Sequence, residues 1–456
     1  MEILNFFKKS LFASLFVLVV YTIILFIFIK SWRFGFIFIW STGFGFGLKY
    51  GELGYAVAFR ELIKKGSLMR IRTLFVIFFV GTLLSGIITT SKAKALFNRD
   101  KQVSPSEYPI GVSLLIGSFV FGFGMNLAGC CASGTLVGVG TGNIKAIVTL
   151  LFFICGSTVA MTNAIYNGYN KLPKFKKPTT IPFYVNLIIL CALTTITYII
   201  DYLKIKKFKK KVDDSDVTYL FNLLKIPVDS EESSDNANLE ESAKVEENAK
   251  AEEKLKEKSK DFFKKLIFSM FLGVIIGFFY LCCGSMIGIS GIFAEVGGNF
   301  LKDLGLKVDS WDSFKPKLKR DYFNKNIFNS DIYIMIGAFI AISLKQKFGT
   351  DQCKNFIFYI KAACGGFLMG IGAKMSYGCN IGSMTSGICS SSLHGYIWMI
   401  FCTLGVFVSI FLCTIMGIED EKPKEPKESK DKKKEGLMND SQENIDINMG
   451  KELTNE

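Results

Sequence analysis

Two cysteines, Cys131 and Cys379, stand in the same sequence setting. Each follows a Gly-x-Gly step after six intervening residues and precedes a glycine by three. The framing residues are Gly122, Gly124 and Gly134 in one copy and Gly370, Gly372 and Gly382 in the other, at a constant offset of 248. The residues after each cysteine suit a helix start: Ser133 and Thr135 in the first copy, Asn380 and Ser383 in the second. A helix that begins inside a membrane presents unpaired N–H groups and the positive end of its dipole, so two such starts facing each other would hold an anion. A thiol at that point is a weak, polarisable donor, better matched to a soft sulfur or selenium atom than to a hard oxyanion oxygen. Transport of an anion favours the neutral thiol, because a thiolate would repel the cargo. Lys374 lies five residues before Cys379 in an otherwise apolar stretch, where a cation is costly unless it faces a cavity or a partner.

The elements that must position these residues are membrane spans. Half of the 456 residues are hydrophobic, and apolar windows of spanning length recur. The clearest are Leu11–Ile29, Thr73–Thr89, Tyr108–Leu127, Ile144–Thr162, Ile181–Ile200, Leu266–Cys283 and Gly395–Ile415, with weaker spans at Phe34–Leu48, Ile332–Leu344 and Phe356–Met375. The expectation is an all-α polytopic membrane protein of about ten transmembrane helices plus short half-helices, in two pseudo-symmetric halves. The first span closes on Lys30, Trp32 and Arg33 with no small-residue cleavage site after it, which favours an uncleaved helix over a secretion signal. All nine prolines fall outside the apolar spans or at their first turn. Breaks within the membrane are therefore expected at glycine.

The formal charge of +14 does not indicate nucleic acid, because it is concentrated beside span ends. Lys204, Lys206, Lys207, Lys209, Lys210 and Lys211 follow one span and Lys422 to Lys434 follow the last, which predicts a cytoplasmic linker and tail. The expected organisation is a first membrane half over 1–203, a charged and largely disordered linker over 204–261, a second membrane half over 262–417 and a disordered tail over 418–456. Lysines at 92, 94, 174, 176 and 177 sit in loops that this count places outside. Twelve cysteines without a Cys-x-x-Cys, beside a single histidine, His394, argue against a structural zinc site. No cofactor is expected. Cys155, Cys191, Cys402 and Cys413 read as small hydrophobes, and His394 as a structural residue near the membrane interface.

At the two motifs the chain resembles the YeeE/YedE family of sulphur-transport permeases. Gly122, Gly124, Leu127, Cys131, Ser133, Gly134, Thr135 and Leu136 match the family's first motif, with Cys130 in the place of a family glycine. Gly365, Gly366, Leu368, Met369, Gly370, Gly372, Ala373, Gly378, Cys379, Asn380, Ile381 and Gly382 match the second, with Lys374 in the place of an arginine. The family's additional cysteine, in a Gly-Phe-Cys element followed by arginine, is replaced by Tyr55 in the segment Gly54 to Arg60. Its counterpart in the second half is similar to Gly288 to Glu295. The resemblance implies uptake of thiosulfate or a related inorganic sulfur anion through a narrow path. It also implies that motif cysteines hand on the terminal sulfur by S–H···S contacts, and that a cytoplasmic sulfur-carrier or sulfurtransferase protein is a partner. The site residues are then Cys131, Cys379, Lys374, Ser133, Gly134, Asn380, Gly382, Tyr55 and Arg60.

Two other readings stay open on the residues. One keeps the architecture and changes the cargo to sulfite, selenite or another sulfur or selenium oxyanion. The other is a membrane thiol oxidoreductase using the vicinal pairs Cys130-Cys131 and Cys282-Cys283. It ranks lower because adjacent cysteines form only strained disulfides.

Overall fold

The computed structural model describes residues 32–177, 179–208, 241–314, 326–345 and 356–417. The span expected at Leu11–Ile29, most of the linker, Cys353 and the tail lie outside the described residues. The chain divides into Met1–Leu412 and Cys413–Glu456. Of the second unit, only Cys413–Gly417 belong to the described residues.

Helices make up nearly all of the described structure, as the apolar windows require. In chain order they are α1 (Trp32–Tyr50), α2 (Tyr55–Lys65), α3 (Met69–Thr90), α4 (Val112–Ala128), α5 (Ala132–Gly140), α6 (Ile144–Val159), α7 (Asn163–Asn170) and α8 (Phe183–Phe208), followed by α9 (Glu241–Cys283), α10 (Phe293–Asp303), α11 (Asn326–Lys345), α12 (Ile357–Met375), α13 (Ser386–Cys389) and α14 (Leu393–Ile415). A six-residue π-helical segment, Asn380–Thr385, leads into α13. Among the described residues six helical spans are long and apolar enough to cross a membrane. They become seven if α6 and α7, bent by 72° at their junction, form one, and Phe328–Leu344 is a shorter apolar helix. The helix that begins at Glu241 carries the charged sequence before the second half directly into the span ending at Cys283.

Two short antiparallel ribbons lie in the connections. One pairs Lys94–Ala95 with Asn98–Gln102, and the other pairs Ile110–Gly111 with Lys174–Lys176. The first is anchored to the end of α9, where the Leu96 and Phe97 amides donate to the Leu281 and Cys282 carbonyls at 3.1 Å each.

The second half repeats the first upside down. α4 and α12 cross antiparallel: a Cβ on Gly124 would stand 2.6 Å from the Gly365 carbonyl oxygen, and one on Gly372 2.6 Å from that of Gly117. Shifting Gly117 and Gly124 by the motif offset lands on Gly365 and Gly372, so each contact maps onto the other. The same exchange relates Gly122 against Cys402 to Gly370 against Phe153, and Gly156 against Phe367 to Gly405 against Phe119. Thus α6 corresponds to α14. Likewise Gly140, at the end of α5, packs on the Met335 carbonyl of α11, while Cys389, at the end of α13, packs on Gly81 and Phe78 of α3. Glycine lets the backbones approach this closely, which is how helices without a hydrophobic drive between them gain packing energy.

Past the motif cysteines the offset grows by one residue, and the second copy absorbs the extra residue as the π-helical turn. A single inserted residue is the usual origin of such turns, and they concentrate at functional sites. Outside the repeats, α8 is pinned to α3 by a buried ion pair between Arg72 and Asp201, with the Arg72 guanidinium also donating to Thr197 at 3.1 Å and 3.2 Å. Lys204 donates to the second Asp201 oxygen at 2.9 Å.

Candidate functional site

Each motif cysteine sits where a helix restarts inside the membrane. Gly129 ends α4 with φ 78°, and its amide is bonded back to the Met125 and Asn126 carbonyls. Cys131 is then the N-cap of α5, its sulfur accepting the Gly134 amide at 3.3 Å in the place usually held by a hydroxyl or carboxylate oxygen. The Ser133 hydroxyl lies 3.3 Å from the same sulfur. In the second copy Tyr377 occupies the position of Gly129 and adopts φ 63°, with Gly378 at φ 156° after it. A side chain in that left-handed region is strained; its ring is held by stacking on Tyr108, 4.7 Å between centroids. The Ile381 and Gly382 amides face the Cys379 sulfur without closing a capping bond. Both thiols are buried, and each rests on the positive end of its helix start.

The short helices α2 and α10, eleven residues each, bring a second set of groups to the breaks. The Ala56 amide faces Cys131, and Ser290, just ahead of α10, faces Cys379 through its amide and its side chain. Tyr55 opens α2, is fully buried, and reaches across the molecule. The Thr385 hydroxyl of the π-helical turn donates to its phenol oxygen at 3.1 Å, and Cys131, Cys379 and Cys389 surround it closely enough to interact electrostatically. Tyr55 therefore joins the two copies.

Of the residues expected from sequence, Cys131, Ser133, Gly134 and Tyr55 converge from the first half, and Cys379, Asn380 and Gly382 from the second. Asn380 is buried and donates to the Met125 sulfur at 3.6 Å. Gly382 faces Gly288 across the loop before α10. Lys374 and Arg60 lie apart from the thiols. Lys374 donates to the Gly291 carbonyl at 3.0 Å. Arg60 donates to the Asn126 side-chain oxygen at 3.3 Å and to its carbonyl at 2.9 Å, and Asn126 is the repeat equivalent of Lys374. A cation thus stands at each of two repeat-related places: Lys374 in the second half, and Arg60 on Asn126 in the first.

Sequence reasoning missed Thr385, Ser290, Asn126 and Lys145. Lys145 and Arg60 reach Gly129, with nitrogens 3.4 and 3.6 Å from where its Cβ would be, and both act on the neighbouring Cys130 thiol. Asn126 was reachable through the repeat offset from Lys374; the others are delivered only by packing. Cys402 is buried near Cys131. Cys389 ends the buried helix α13 beside Tyr55. His394, at the start of α14, is fully buried, with its Nδ1 2.7 Å from the Ser392 hydroxyl.

Inverted halves with helices broken at mid-span and a buried meeting point between them define a membrane transport protein. The chain belongs to the sulphur transport family, whose pattern matches residues 50–408. It is 25% identical over 302 residues to the thiosulfate transporter TsuA of Spirochaeta thermophila, covering 64% of this chain and 75% of that protein. It is also 25% identical over 134 residues to the probable transporter YedE of Escherichia coli, covering 29% of this chain and 33% of that one. The protein is a multi-pass membrane transporter of a sulfur compound.

Proposed function

We propose that the chain imports thiosulfate, handing its terminal sulfur between Cys379 and Cys131 past the Tyr55 phenol. The observation that carries this reading is the convergence of two neutral-thiol donors, each on a helix start, upon one buried phenol. The helix starts and the cations Lys374 and Arg60 attract an anion, while the thiols accept the soft end that oxygen-selective donors would hold poorly. The Tyr55 hydroxyl supplies a hydrogen bond where the family pattern places a thiol. The kinship with TsuA supports thiosulfate over other cargo. The face bearing Lys204, Lys264 and Lys265 is cytoplasmic in this reading, and the protein resides in the inner (cell) membrane. A sulfur-carrier or sulfurtransferase protein receives the cargo on that side.

Uptake into proteoliposomes measured with thiosulfate, sulfite, selenite and sulfate in parallel tests the assignment. Saturable accumulation of thiosulfate, competed weakly by sulfate, is expected. Accumulation of sulfite or selenite in preference to thiosulfate would change the cargo, and thiol oxidation without accumulation would move the protein to oxidoreductase chemistry.

A further inference from the structure

We infer that Asp331 is a proton-carrying carboxyl that couples anion uptake to proton entry, an inference that rests on the transport of thiosulfate proposed above. Asp331 lies on α11 within the apolar stretch Phe328–Leu344, is 3% exposed, and has no hydrogen-bond partner at either carboxylate oxygen. An ionised carboxylate enclosed in this way loses its water and gains nothing in return. The enclosure suits a carboxyl that has taken up a cation, and intramembrane carboxyls of this kind mark ion and proton pathways. No group of three or more His, Cys, Asp or Glu side chains assembles a metal site among the described residues. A proton is the one cation that needs no further ligands.

Among the described residues, the helices packed on α11 bring no hydrogen-bonded countercharge to Asp331. α1 carries Arg33 near its start and Lys49 and Tyr50 at its end, α5 carries no titratable residue beyond its cap Cys131, and Tyr333 on α11 itself meets Phe38 edge to face, 5.2 Å between centroids. None of these bonds Asp331. On the same two helices the Ser41, Thr42 and Ser330 hydroxyls are also buried without hydrogen-bond partners. Like the crossing of α4 and α12, that of α1 and α11 is drawn tight by glycine, with Gly45 on the Ile334 carbonyl and Gly337 on that of Thr42.

Position links the carboxyl to the cargo. Asp331 precedes Met335 by one helical turn on the same face, and the Met335 carbonyl packs against Gly140 at the end of α5. Asp331 therefore belongs to the helix that buttresses the half-helix headed by Cys131. A doubly charged anion entering a negative-inside cell moves against the potential, and a proton carried with it offsets part of that charge. The carboxyl takes the proton as an O–H from one side and releases it to the other, with no bond made or broken in the cargo.

Three measurements on the full chain in proteoliposomes test this. First, an inwardly directed proton gradient should drive accumulation of labelled thiosulfate by the parent and by Asp331→Glu, and Asp331→Asn should lose that accumulation. Second, Asp331→Asn should still exchange labelled for unlabelled thiosulfate at equal pH, which a merely misfolded variant would not. Third, infrared difference spectra between acidic and alkaline vesicles should show a protonated-carboxyl band that Asp331→Asn removes. Gradient-driven accumulation by Asp331→Asn at the parental level, loss of exchange together with accumulation, or an unaltered carboxyl band would each overturn the proposal. Absence of thiosulfate exchange in the parent would sink the cargo assignment instead, and the infrared band would still decide the role of Asp331.

Discussion

At the scale of single residues, the proposed transport relies on thiols and a phenol, donors that would hold a soft anion without trapping it. Tyr55 is the least expected of them, because its phenol enters from the first half and is bonded to Thr385 of the second. Tyr55→Phe removes that bond and the hydroxyl facing the thiols while keeping the ring volume. A buried hydrogen bond contributes roughly 1 kcal/mol, with about 1–3 kcal/mol lost where the partner is left unsatisfied. Initial uptake should fall by about tenfold with normal membrane insertion, and an unchanged rate would make Tyr55 a packing residue. Lys374, bonded to the Gly291 carbonyl, is expected to attract the anion through its charge. Lys374→Met should weaken uptake and Lys374→Arg should keep much of it, measured as initial rates at low substrate. Parental uptake by the methionine variant would leave Lys374 with only its carbonyl contact to explain.

At the scale of elements, the helix that joins the two repeats is held to α3 by a buried charge pair besides the packing of Phe183 on Gly86. Arg72 and Asp201 are both buried and paired, with Thr197 and Lys204 completing the network. Removing one partner of a buried pair costs roughly 3–5 kcal/mol because the other charge is stranded, whereas replacing both with apolar residues is often close to neutral. Arg72→Leu should therefore lower the thermal midpoint in detergent sharply. The double variant Arg72→Leu with Asp201→Leu should recover most of the loss, and equal losses in the single and double variants would contradict the pairing. The sequence made the breaks at 129–131 and 377–379 legible, because glycine beside a cysteine inside an apolar run is a local signal. It did not show how the breaks differ. The left-handed position is Gly129 in one copy and Tyr377 in the other, and Tyr377 is tolerated there only in the company of Tyr108. The π-helical turn was equally hidden, since one extra residue has no composition of its own.

At the scale of the whole molecule, the repeat offset predicted two equivalent halves, and the crossings of α4 with α12 supply the inversion that the offset alone leaves undecided. Contacts between residues hundreds of positions apart carry the rest: Ser290 on Cys379, Ala56 on Cys131, Arg60 on Asn126. None leaves a periodic trace in the chain, so the cluster around Tyr55 emerged only from the fold. Because each half contributes one thiol and both lie near the Tyr55 phenol, the proposed transport should require both. Labelled thiosulfate uptake by proteoliposomes containing Cys131→Ala, Cys379→Ala or Cys155→Ala, each checked for insertion, tests this most directly. The account predicts that uptake is abolished in the first two variants and retained in the third, whose side chain is exposed on the outer face of α6. Parental uptake by Cys131→Ala and Cys379→Ala would contradict the handing of sulfur between the two thiols.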